Sequence, residues 1–176
     1  MRPPATPVDE ARRLAALHAL GLLDTDAEER FDRLTRLARR LFDVPIALVS
    51  LVDRERQWFK SCIGFELRQT SRDVSFCGHT ILSDELLVVT DALADARFAD
   101  NPLVVGDGGI RFYAGCPLAG PDGSKLGSLC LIYRVPRGFD DDDRGVLRDL
   151  ARLVEREIAS AHLATLDAAT GLSNRR

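Results

Sequence analysis

The chain has 176 residues, 45% of them apolar and 29% charged, which suits one globular domain with an ordinary core and a short remainder. Its formal net charge of −3 gives no basic footprint, so nucleic acid is not an expected partner. No apolar run approaches the roughly 18 residues that a membrane helix needs, and the chain is expected to be cytoplasmic and free of membrane.

Residues 1–7 contain three prolines and are expected to form a disordered or extended lead-in. Val8, Ala11, Leu14, Ala15 and Leu17 then recur at helical spacing and predict a helix over Val8–Leu20. Arg12-Arg13 and the apolar run to Leu23 imitate a secretory leader. Asp9 and Glu10 precede that run, His18 interrupts it, and Asp24-Thr25-Asp26 stands where a cleavage site belongs, so no leader is expected. Thr25-Asp26-Ala27-Glu28 has the form of a capping box, and Phe31, Leu34, Leu37, Ala38 and Leu41 predict a second helix that stops before Pro45.

Ile46–Val52 is short, apolar and rich in branched residues, the pattern of a central strand. Asp53–Arg56 turns the chain into an alternating strand, Gln57–Ile63. There Trp58, Lys60 and Cys62 are expected on one face and Phe59, Ser61 and Ile63 on the other. A polar connection over Phe65–Val74 leads to a short helix over Phe76–Leu82 with Ser75 as its cap. Leu86–Val89 predicts a short strand and Asp91–Gly109 a long loop. Ile110–Cys116 and Leu126–Tyr133 predict a hairpin about the turn Pro121-Asp122-Gly123. The acidic run Asp140–Asp143 suits a helix N-terminus better than a calcium loop, and it opens a long helix to about Leu166. Five or six strands in hairpins, with helices at both ends, make an α+β domain with a largely antiparallel sheet.

Ser75-Phe76-Cys77-Gly78-His79-Thr80-Ile81 concentrates chemistry that the rest of the chain lacks, which has only four Cys and three His in all. Cys77 and His79 are two potential metal ligands where a structural zinc wants about four, so no metal is expected. The cysteines at 62, 77, 116 and 130 form no C-x-x-C pair and suit reduced thiols.

Four segments occur in an order similar to a known family: D-R-E-R-Q-W-F-K-S-C-I-G at Asp53–Gly64, Ser75–Ile81, D-A-L-A-D-A-R-F-A-D-N-P-L-V at Asp91–Val104 and I-R-F-Y-A-G-C-P-L at Ile110–Leu118. They resemble the bacterial GAF sensor domain from about Thr25 to Ala161. Leu166–Arg176 resembles the opening of a GGDEF diguanylate cyclase domain, with Ala169 in place of the usual Leu and the G-G-D/E-E-F loop absent. The resemblance implies residues 1–24 as an N-terminal extension and helix, 25–163 as the GAF domain, and 164–176 as a linker and the first residues of the output domain. It also implies terminal helices on one face of a central antiparallel sheet and a small-molecule pocket on the other.

A pocket needs apolar walls and a few convergent polar groups. Phe76, Phe98, Phe112 and Tyr113 are expected as walls and Cys77, His79, Thr80, Asp91, Asp95, Arg97 and Arg111 as polar groups; the ligand-binding set is Phe76, Cys77, His79, Thr80, Asp91, Asp95, Phe98, Arg111 and Tyr113, with no catalytic residue. Simpler roles stand beside these: a hydrogen-bonded structural imidazole for His79, a small buried side chain for Cys77, and loop-tying ion pairs for Asp91 and Asp95. Arg111 shares a strand face with Tyr113 and opposes Phe112. The Cys-His pair and the N-K-x-F-D-E signature of bilin-binding and cyclic-nucleotide relatives are missing, and no cofactor is named by the sequence.

The expected function is a regulatory domain that senses an unidentified small molecule and controls a C-terminal diguanylate cyclase. The signal would pass through a homodimeric helix pair: of two adjacent apolar rows, Leu147, Ala151, Val154, Ile158, Ala161 and Val146, Leu150, Leu153, one would pack on the sheet and the other would meet its partner. Two alternatives are a ligand-free dimerisation module, whose pocket would be filled by its own side chains, and a methionine sulfoxide reductase, for which Cys62, Cys77 and Cys116 would have to converge.

Overall fold

The computed structural model describes residues 1–107 and 109–170. In chain order the elements are α1 (Glu10–Ala19), α2 (Glu29–Phe42), β1 (Ile46–Val52), β2 (Arg56–Ile63), β3 (Gln69–Ser71), α3 (Phe76–Thr80), β4 (Leu87–Val89), α4 (Pro102–Val105), β5 (Phe112–Ala119), β6 (Lys125–Tyr133) and α5 (Asp141–Thr170). The six strands form one antiparallel sheet in the order β3-β2-β1-β6-β5-β4. This is the expected α+β architecture. β1 and β6 lie at its centre and are buried on both faces.

Side-chain alternation along those strands separates two cores. Ala47, Val49 and Leu51 of β1 and Leu129 and Leu131 of β6 join α2 and α5 in the larger one. Ile46, Leu48 and Val52, with Cys130 and Ile132, face the other side and pack with α3 and the 92–110 segment. Of the two apolar rows of α5, the one buried is Leu147, Ala151, Val154, Ile158 and Ala161, and Leu150 of the other row joins it. Val146 and Leu153 stay exposed.

Lys60 breaks the expected alternation of β2. Val49 pairs with Ser61 but Ser50 pairs with Phe59, so Lys60 is the extra residue of a β-bulge. Lys60 and Ser61 therefore both point towards α2, and Cys62 turns to the Phe59 side, against the predicted faces. The fully buried Lys60 ammonium pairs with Glu28 at 2.6 Å and donates to Thr25 Oγ1 at 2.8 Å and the Asp26 carbonyl at 2.7 Å. A buried charge requires such partners. They are the residues of the predicted capping box, which for that reason does not form: α2 starts at Glu29, and its N-cap Glu28 makes no side-chain cap bond.

Other departures have local causes. Leu37 and Leu41 face outward because α2 buries Phe31, Leu34, Thr35, Ala38 and Phe42. α1 is shorter than expected, with Val8 fully exposed ahead of it. The 64–74 connection contains β3, whose residues are mostly exposed at the sheet edge and so lack an apolar alternation. The 91–109 segment holds two helical turns, at 92–94 and in α4, capped by Asp91 and Asn101.

Arg13 is almost wholly buried between α1 and the sheet, where it donates to the Val52 carbonyl at 2.6 Å and to Glu10 at 2.9 and 3.0 Å. Arg72 grips the same carboxylate from the other side at 2.5 Å. Burial raises the Glu10 pKa, but hydrogen bonds and charge from Arg13 and Arg72 outweigh it and bring the carboxyl from 4.5 down to about 2. The folded state is thus stabilised above pH 4.5, and that contribution is lost as the pH falls towards 2. Glu10→Gln should lower the unfolding free energy at neutral pH by about 2 kcal/mol, less than for a fully buried pair because the carboxylate keeps some water contact. Urea melts of both proteins should converge between pH 4.5 and 2, since acid removes the same charge.

Candidate functional site

The face of the sheet opposite α2 and α5 is covered by α3 and the 92–110 segment. Ser75 starts α3 by accepting a hydrogen bond from the Gly78 amide at 3.0 Å. Gly78 has no room for a side chain: a Cβ there would lie 2.6 Å from Ser75 Oγ and 2.7 Å from Pro4 Cγ. The residue between Cys77 and His79 thus lets the cap form and lets the N-terminal segment lie against the helix. That segment is docked where a disordered or extended lead-in was expected. The Arg2 amide donates to the Arg97 carbonyl at 3.2 Å, and the Met1 amino group pairs with Asp100.

α3 directs its side chains two ways. Phe76, Cys77 and Thr80 point to the sheet. Phe76 stacks on Phe98 with ring centroids 4.1 Å apart and packs on Tyr113 at 5.0 Å. Tyr113 Oη is the hub beneath them, 2.7 Å from Thr80 Oγ1 and 3.2 Å from Ser128 Oγ, and it donates to Cys77 Sγ at 3.4 Å. Ser128 Oγ also donates to Cys77 Sγ at 3.4 Å, and Cys130 Sγ lies 3.9 Å from that sulfur. Alongside, Ser50 Oγ donates to Gln57 Oε1 at 3.3 Å and Gln57 Nε2 to Thr70 Oγ1 at 2.5 Å. Among the described residues no buried side-chain nitrogen or oxygen lacks a partner.

His79 points away from this floor. Its ring meets Phe98 edge-on at 4.9 Å, and Nε2 donates to the Arg2 carbonyl at 3.0 Å. Burial holds its pKa below the ordinary value, so the imidazole is neutral at pH 7 and serves as a strut for the N-terminal segment. Asp91 pairs with Arg111 at 2.9 and 3.0 Å and caps the next turn through the Leu93 amide. Asp95 binds Arg97 at 2.7 Å. These two pairs tie loops at the rim, away from the cavity under α3. Arg111 stands just before β5, not within it.

The expected walls Phe76, Phe98 and Tyr113 and the expected polar groups Cys77 and Thr80 therefore come together, His79, Asp91, Asp95, Arg97 and Arg111 stay outside, and Phe112 turns to the opposite core. Gln57, Thr70, Ser128 and Cys130 belong to the site but were not anticipated. Ser128 and Cys130 recur at i, i+2 within an otherwise apolar strand, a signal that polar groups share one buried face. The remaining cavity measures about 20 Å³, bounded by Phe59, Phe65, Phe76 and Leu103 and by the polar groups Gln57, Thr70, Cys77, Tyr113 and Cys130. That is room for about one water molecule. A larger depression of about 580 Å³ at the end of α2, beside Arg39, Arg40 and Tyr133, is open and lies far from this floor.

The thiols divide the same way. Cys116 faces α5, where burial raises it to about 11, and Cys62 donates to the Phe65 carbonyl at 3.0 Å. Cys62, Cys77 and Cys116 do not converge; Cys77 meets Cys130 instead.

Comparison with known proteins agrees with this architecture. The model of the GAF domain family matches residues 26–158. A cyclic di-GMP phosphodiesterase of Pseudomonas aeruginosa is 46% identical over 177 residues, which cover 99% of this chain and 30% of that protein. The chain thus spans under a third of its relative's length. The GAF domain of an Acinetobacter phosphoenolpyruvate-protein phosphotransferase superposes with a TM-score of 0.62 at 16% identity, over 87% of this chain and 96% of that one. A free methionine-R-sulfoxide reductase from Neisseria meningitidis, in complex with its substrate, gives 0.61 at 18% identity over 93% and 98%. At such identities the two structures speak for the fold alone.

Tyr113→Phe should lower stability by about 1–2 kcal/mol, because Ser128 and Cys77 lose a buried partner and the ring is retained. A lower urea midpoint with an unchanged slope is the expected result.

Proposed function

The chain belongs to the GAF domain family, and from that premise we propose that it is the regulatory, non-catalytic input domain of a cytoplasmic protein that turns over cyclic di-GMP. The observation that carries this reading is the 46% identity, along nearly the whole chain, to a protein named a cyclic di-GMP phosphodiesterase. The likeness of residues 166–176 to the start of a GGDEF domain supports the same signalling system. Gly171–Arg176 lie outside the described residues, and Leu166–Thr170 are the end of α5. The relative's name favours hydrolysis over the cyclase output that the sequence suggested. Residues 25–163 are then the sensory unit, and α5 runs on towards the output domain.

The closed cavity favours the ligand-free module over a sensor of an organic molecule. Phe76, Phe98 and Tyr113 fill the space that such a ligand would take, and about 20 Å³ remain. Binding of anything larger would require Phe65 and Leu103, which are only partly buried, to move.

Transmission is proposed to run through a homodimer. α2 and α5 lie antiparallel, since Arg30 faces Glu157 and Phe42 faces Phe139. Their outward sides carry Leu37, Leu41, Val146 and Leu153, and α5 continues with exposed Leu163 and Leu166. A second copy of this layer is the occupant that would cover them, and it would bring two output domains together. Sedimentation at micromolar concentration should give a dimer, and Leu153→Asp should weaken it at least tenfold. The same substitution in the full-length parent should change cyclic di-GMP turnover several-fold, while residues 1–176 alone neither make nor hydrolyse it. A dimeric Leu153→Asp protein with unaltered turnover would overturn this reading.

A further inference from the structure

Cys77 on α3 and Cys130 on β6 are 53 residues apart in the chain, yet their sulfurs lie 3.9 Å apart and both are buried. A disulfide requires about 2.05 Å, so the sulfurs must close by roughly 2 Å. Cys62 and Cys116 have no such neighbour. One lies against the Phe65 carbonyl and the other on the opposite face of the sheet.

The surroundings make the two sulfurs unequal. Hydrogen bonding with Cys130, then with Ser128 and Tyr113, holds the Cys77 thiol below its ordinary pKa against the effect of burial. The same bond and burial push Cys130 up. Cys77 is the better nucleophile, and Cys130 keeps a proton to give away. Both sulfurs border the 20 Å³ cavity, which has room for about one water molecule and not for an organic ligand.

We propose that Cys77 and Cys130 form a reversible regulatory disulfide, made by hydrogen peroxide and broken by thiol reductants. The Cys77 thiolate attacks one peroxide oxygen; the O–O bond breaks, Cys77 becomes a sulfenic acid, and the departing hydroxide takes up a proton to leave as water. The Cys130 sulfur then attacks the Cys77 sulfur; the S–O bond breaks, and the hydroxyl leaves as water with the Cys130 proton. Two thiols and one peroxide give one disulfide and two waters. Exchange with a dithiol reductant returns both thiols, the reductant becoming a disulfide. The bond ties α3 to β6, whose opposite face packs on α5 through Leu129 and Leu131. The proposal holds whatever the output domain does.

The test is peptide mapping of the wild-type chain after treatment with a small excess of hydrogen peroxide. Two of the four free thiols should be lost, the Cys77 and Cys130 peptides should be joined, and dithiothreitol should restore all four. Cys130→Ser should stop at a sulfenic acid on Cys77, trapped by dimedone. Four surviving thiols, a bond to Cys62 or between two chains, or sulfinic acid at Cys77 with Cys130 still free would each overturn the proposal. The wild-type readout holds even if the variant fails to fold.

Discussion

A strand buried on both faces cannot carry polar side chains without giving each of them a partner. β6 carries Ser128 and Cys130 on one face at the centre of the sheet, and β1 carries Ser50 beside them. Buried away from solvent, these groups need donors and acceptors from the neighbouring strands and from the covering helix. Tyr113, Thr80, Cys77 and Gln57 supply them. The position of α3, the closure of the cavity and the pairing of two cysteines all follow from that requirement. Ser75 and Gly78 matter because they set the start of α3 so that Cys77 and Thr80 point to the floor.

The other face of the sheet meets the same constraint in charged form. Lys60 is buried beneath α2 by a bulge and takes Glu28, Thr25 and the Asp26 carbonyl for itself. Arg13 is held by Glu10, which Arg72 also holds, pinning α1 to the strand ends. Both helices are fixed to the sheet by buried cations at one end and by apolar packing along their length. α5 packs on β5 and β6 in the same core, so a movement of β6 would reach it. This is the physical route by which a change at Cys77 and Cys130 would reach an output domain.

The sequence made the fold legible where burial was periodic. β1 is apolar but for Ser50 because both its faces are covered, and α5 shows its buried row at helical spacing. β3 was not legible, because an edge strand of three mostly exposed residues leaves no pattern. The β2 bulge and the missing capping box share one cause, a buried lysine whose partners lie about thirty residues away and cannot be found by local spacing. The site was half legible. The stretch around Cys77 concentrates rare residue types, but His79 lies two residues on, about 200° round the helix from Cys77, and so faces the N-terminal segment. Cys130 was hidden because its meeting with Cys77 depends on which helix covers which strand.

The protein's own side chains close the face of the sheet under α3 to a cavity of about 20 Å³. Native mass spectrometry of the chain as purified from its expression host tests this most directly. The mass of the polypeptide alone is the predicted result; a stoichiometric organic molecule retained under gentle ionisation and released on unfolding would contradict it.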